Sequence, residues 1–153
     1  MLSHRLAKDI RELFTGSNWT NVTMKQVLED VSLTEAKTKV ENYNTILALV
    51  YHIYYYIKVT HPVLFGKALE AHDKYAFEHP AIEDEEHWQF FLNEVYAEAE
   101  AFAKSVQGLD EDVLDTPLSD PKWGSHFSII NGIVQHGYYH LGQIVLLKKY
   151  LRK

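Results

Sequence analysis

Apolar residues recur along this chain at spacings of three and four far more often than at two, a pattern of helices rather than strands. Leu2, Leu6, Ile10, Leu13 and Phe14 share one face of a helix over 2–14, which Gly16 ends. A linker over 17–32 follows, with one short helical turn around 24–31. The next periodic segment spans 33–59. Ser32 and Glu35 have the spacing of a capping box, the Ser oxygen on a free helix amide and the Glu reaching back. Pro62 closes this segment. After a connection over 60–82, a third helix over 83–107 opens on Glu83, Asp84, Glu85 and Glu86, acids suited to the positive end of a helix dipole, and stops at Gly108. An Asp- and Pro-rich linker over 109–124 leads to a fourth helix over 125–150. Ser125 is its N-cap, and Lys148, Lys149, Arg152 and Lys153 sit at its negative end.

Long amphipathic helices without strands bury their apolar faces best against one another. The expected fold is therefore all-α, a four-helix bundle forming one domain over 1–153. All three linkers exceed the roughly two to eight residues usual between antiparallel neighbours, so long crossover connections are expected.

Composition narrows the chemistry. The 153 residues are 46% apolar and 24% charged, the balance of a folded domain. Lys plus Arg number 15 against 21 for Asp plus Glu, a net charge of −6 with no basic block, which argues against nucleic acid or an anionic membrane as partner. Cysteine is absent, which excludes disulfides, thiolate metal sites and a cysteine nucleophile. The densest apolar run, 46–57, is broken by His52 and four tyrosines, so no membrane helix is expected. The start MLSHRLAKDI has no signal-peptide core, and the expected setting is the cytoplasm, with a small molecule as substrate.

Nine His and ten Tyr are both high for this length. His136 and His140 lie one helical turn apart in the fourth helix, a spacing that offers two nitrogens to one transition metal. They interrupt the stripe Ile129, Ile133, Ile144 and Leu147, so both should point inward. In the second helix Leu49, His52 and Tyr56 share a face. Three imidazoles from two apolar faces can meet and bind a metal while leaving coordination positions open, as catalytic sites do. The alternative is core histidines bonded to Tyr or to backbone carbonyls. Tyr51, Tyr54, Tyr55 and Tyr56 read as core and rim packing. A second site combining His87 with the acids of 83–86 is a weaker alternative. A di-iron site lacks its Glu-x-x-His pairs, and no His-Glu-x-x-His, Gly-rich phosphate loop or Gly-x-Ser-x-Gly elbow occurs.

The segment His136-Gly-Tyr-Tyr-His140-Leu-Gly-Gln-Ile144, with an isolated His52 midway along the second helix, resembles the DinB/YfiT-like superfamily. The resemblance implies a four-helix bundle with one divalent metal on His52, His136 and His140. It also implies a metal-dependent transferase that joins a low-molecular-weight thiol, such as bacillithiol or mycothiol, to an electrophile. Many members of the superfamily carry Arg directly after the last His. This chain has Leu141, so the contact such an Arg makes does not carry over.

A three-His site keeps the full 2+ charge of its ion, lowering the pKa of bound water to about 7 and deprotonating a bound thiol. The lack of Cys suits a thiol brought in by a cofactor. Tyr56 and Gln143 are the candidates for substrate or supporting hydrogen bonds, and Trp19 and Trp123 for pocket walls. Imidazole ligands suit zinc, nickel, copper or iron; zinc or nickel is expected first, with iron, manganese or copper as alternatives. The first reading is a metal-dependent transferase or hydrolase acting on a small molecule; the competing function is a non-catalytic metal- or ligand-binding stress-related protein, and exposed aromatics would suit a homodimer.

Overall fold

A short polar side chain opens five of the six α-helices by accepting from a free amide of the first turn. In the computed structural model, which describes residues 1–153, α1 spans Leu2–Phe14, α2 Met24–Leu28 and α3 Leu33–Lys37. The longer α4, α5 and α6 span Ile46–Thr60, Glu85–Gln107 and His126–Leu151. The caps are Thr23, Ser32, Thr45, Asp84 and Ser125 for α2 to α6 in turn. Ser32 and Glu35 form the expected capping box, and Thr23 with Gln26 forms another. The start of α1 has no cap of its own. Glu111, 108 residues away in sequence, supplies one by accepting from the Leu2 and Ser3 amides and the Ser3 hydroxyl.

No strand forms; the nearest approach is one isolated bridge between Pro117 and Ser125. Four short 3-10 turns, His61–Phe65, Asp73–Tyr75, Glu111–Val113 and Pro121–Trp123, occupy the long connections. No helix is long and apolar enough to cross a membrane.

Two expected elements differ. The segment over 33–59 is not one helix: it breaks after Lys37 and resumes at Ile46. Thr38 is extended, Glu41 takes a left-handed φ of 45°, and Thr45 restarts the helix by accepting from the Ala48 amide. Asn42, Asn44 and Thr45 favour turns and caps over helix interiors because their side chains compete for the backbone, and here that preference outweighs the apolar spacing around them. The third long helix starts at Glu85 rather than Glu83, because Asp84 is its cap and accepts from the His87 amide.

The four longest helices pack mainly as a ring, α1 against α5 and α6, and α4 against the same two. One contiguous core of 35 buried residues joins them to α2 and α3. Of the expected apolar face of α1, Leu6, Ile10, Leu13 and Phe14 are buried, whereas Leu2 in the first turn stays exposed. Trp88 on α5 is fully buried and donates its indole N–H to the Val31 carbonyl, tying the α2–α3 turn to the core. Lys148 and Arg152, at the end of α6, bond to Asp30, and Arg152 also to Glu35. Gly137 sets the approach of α1 to α6: a Cβ there would lie 2.3 Å from Leu13 Cδ2.

Candidate metal centre

The facing sides of α4 and α6, which pack together, bring the three histidines to one place. His52 sits mid-α4 among buried apolar neighbours, and His136 and His140 lie one turn apart on α6. His52 and His140 are buried and His136 is half-buried. One nitrogen from each falls within a sphere where all lie less than 4.8 Å apart. His136 Nε2 is 3.0 Å from His52 Nε2 and 3.0 Å from His140 Nε2. No other group of three His or acidic side chains is placed to share an ion, so the acids around His87 form no second site.

The outer ring nitrogens decide what this contact can be. His52 Nδ1 lies 3.1 Å from the Ala76 carbonyl oxygen, so it carries the proton and donates. His140 Nδ1 lies 2.7 Å from Gln143 Oε1 and donates likewise. A neutral imidazole has one proton, so His52 and His140 both turn a bare Nε2 lone pair toward His136. Only one proton, that of His136, is left for two nitrogen–nitrogen contacts. Extra protons are disfavoured: burial first, then the neighbouring imidazoles, lower the His136 pKa to about 4. Burial likewise pushes the His52 pKa down, against a smaller opposing effect of the Ala76 carbonyl. A cation satisfies every lone pair at once, and nitrogens 3.0 Å apart can both reach an ion at about 2.0–2.1 Å. The donor set therefore fits a divalent transition metal, with the outer hydrogen bonds fixing ring orientation as they do in metal sites generally.

Much of this support comes from the connection over 66–82, which the sequence does not single out. It folds back over α4. Ala76 supplies the carbonyl for His52, and the Phe77 ring stacks on His52 at 3.9 Å with the planes 7° apart. The Tyr56 hydroxyl donates to Asp73 Oδ1, and the Tyr55 hydroxyl bridges the His72 backbone. Backbone carbonyls and loop aromatics leave no spacing signature, and only the tertiary fold brings them to the site.

The two supporting candidates divide. Gln143 bonds to the ring of His140. Tyr56 instead places its ring edge-on against His52 and His136 while its hydroxyl is committed to Asp73. Burial and that carboxylate raise the Tyr56 pKa to about 12, which keeps the phenol protonated near neutral pH. Tyr54 and Tyr55 are buried and Tyr51 half-buried, the packing role expected of them. The tryptophans are not among the residues that line the depression at His136; Trp19 is 98% exposed and Trp123 59%. The depression of about 240 Å³ that reaches His136 is lined by Tyr56, Ile129, Gly132 and Ile133. Leu141, the residue after the last histidine, is buried in the apolar core. No family model, curated protein or solved structure matches the chain.

Proposed function

We propose that His52, His136 and His140 hold a divalent transition metal, zinc or nickel in the first place, in a four-helix bundle of the DinB/YfiT-like kind. The observation that carries this reading is the shortage of protons at the centre: two rings with protonated outer nitrogens aim bare Nε2 atoms at a third. The activity that suits the centre is transfer of a low-molecular-weight thiol to an electrophile. A divalent ion in such a site favours the thiolate form of a thiol near neutral pH. The residues around it do the rest. Ala76 and Gln143 hold the rings in the tautomer that presents Nε2, while Phe77 and Tyr56 cover His52 and limit water. With no cysteine in the chain, the thiol must come from outside, and its sulfur bonds to the electrophilic carbon as the leaving group departs with its electron pair.

Two measurements test this. Elemental analysis of purified protein should find one transition metal per chain, lost in His136→Ala. A mixture of a small thiol and an activated aryl halide should then react faster with the loaded protein than after chelator treatment. Loss of metal without any change in rate would leave a metal-binding protein and remove the transferase. Retention of a full equivalent of metal by His136→Ala would remove the centre itself.

A further inference from the structure

A second concave site lies on the far side of Gln143. The break between α3 and α4 leaves a groove of about 430 Å³ against the last turns of α6. Val40, Asn42, Tyr43 and Asn44 come from the break, Leu49 from α4, and Gln143, Leu146, Leu147 and Tyr150 from α6. None of these nine carries a charge, in a chain that is 24% charged. Tyr43, Leu146 and Tyr150 stand 60%, 68% and 53% exposed around it, large apolar side chains that water does not favour at a surface. The volume falls in the range of small-molecule sites, roughly 300–1,000 Å³. Polar atoms inside are carboxamides and phenols, which recognise hydrogen-bonding groups without demanding charge. Gln143 spends its oxygen on His140 and keeps its NH2 group to donate.

We propose that this groove binds an uncharged amphipathic small molecule, with an aromatic or alkyl body between Tyr43, Leu146 and Tyr150 and a carbonyl-type acceptor on the Gln143 amide. Because Gln143 also orients His140, occupancy of the groove is coupled to the three-histidine centre. The coupling rests on the metal reading above, whereas the binding does not. Coupling of this kind is reciprocal: a groove ligand that changes metal affinity has its own affinity changed by the same factor.

The test uses Nile red, an uncharged dye with a ring carbonyl whose emission rises and shifts on leaving water. Titrated into chelator-treated protein, it should bind saturably at one site. Leu146→Glu places a charge in the groove at an exposed position and should weaken binding at least tenfold. Phe90→Glu, at an exposed apolar position on α5, should leave it unchanged. Binding that does not saturate, or that Leu146→Glu leaves intact, overturns the site. Sedimentation that shows a dimer broken by Leu146→Glu, with no saturable dye binding, overturns it in favour of a contact between copies of the chain. Zinc titrations with and without saturating dye should differ at least threefold in affinity, and equal isotherms overturn the coupling. If the protein takes up no zinc, the metal reading and the coupling fall together, and the metal-free dye titrations still decide the groove.

Discussion

Leu13 of α1 fills the space that a side chain on Gly137 of α6 would need: a Cβ at 137 would fall 2.3 Å from Leu13 Cδ2 and 3.4 Å from Cδ1. Gly137 directly follows His136, so the contact that docks α1 also sets how α6 is rotated toward α4. Gly137→Ala should therefore destabilise the protein although alanine is the better helix former. The added methyl would press on the end of the fully buried Leu13 side chain, and overpacking of this kind costs about 1–3 kcal/mol against a propensity gain of about 1 kcal/mol. Urea titration reads the balance. Adding Leu13→Ala to Gly137→Ala should cost less than Leu13→Ala alone costs in the parent. Simple additivity would show that the two positions do not interlock.

Removing the partner of His140 should loosen metal binding without abolishing it. Gln143→Ala deletes the acceptor on Nδ1 and frees the ring to turn, for which roughly a tenfold to hundredfold loss of affinity is expected. Competition against a chromogenic chelator measures it. Gln143→Glu keeps an acceptor and should recover most of the loss, whereas equal weakening in both variants would assign Gln143 a packing role alone.

Acid should weaken the metal-free protein in two separate stages. Burial holds His136 at about 4 and His52 below the ordinary imidazole value of 6.5. Between a lowered folded pKa and the unfolded one, the unfolded chain binds more protons, so stability is full above 6.5 and falls as the pH drops toward about 4. Asp30, Glu35 and Glu111 follow lower down. Bonds from Lys148 and Arg152, from Arg152, and from the Leu2 and Ser3 amides respectively bring each to about 2, so their contribution is lost as the pH falls from the ordinary carboxylate range toward that value. Urea midpoints measured after chelation should drop between about pH 7 and 4.5. His136→Asn should shrink that first stage to what His52 contributes and leave the second.

Glu111 closes the one α-helix start that lacks a cap from its own N-cap residue. Glu111→Ala should lower the urea midpoint and speed hydrogen exchange at the first-turn amides of α1, while metal stoichiometry stays unchanged. Exchange that is unaltered there would mean that solvent satisfies those amides equally well.

The helices and the histidines were legible in the sequence because both obey local rules. The period of three and four located α1, α5 and α6 to within about two residues, and Ser32 and Ser125 marked starts through cap chemistry that acts over one turn. His52, His136 and His140 stood out because each interrupts an apolar face. The break over 38–45 was hidden, since Val40 keeps the apolar spacing alive while Asn42 and Asn44 undo the helix. Ala76, Phe77 and Asp73 were hidden for another reason. A carbonyl, a loop ring and a surface acid acquire a role only once residues 66–82 fold back on α4.

That break has an architectural consequence. Residues 40–44 form one bank of the groove yet belong to none of the four long rods, and they hold none of the histidine rings. Lengthening or recomposing those few positions would reshape the opening while α4 and α6 keep their alignment, so the chain can retune what it admits independently of the imidazole trio behind it.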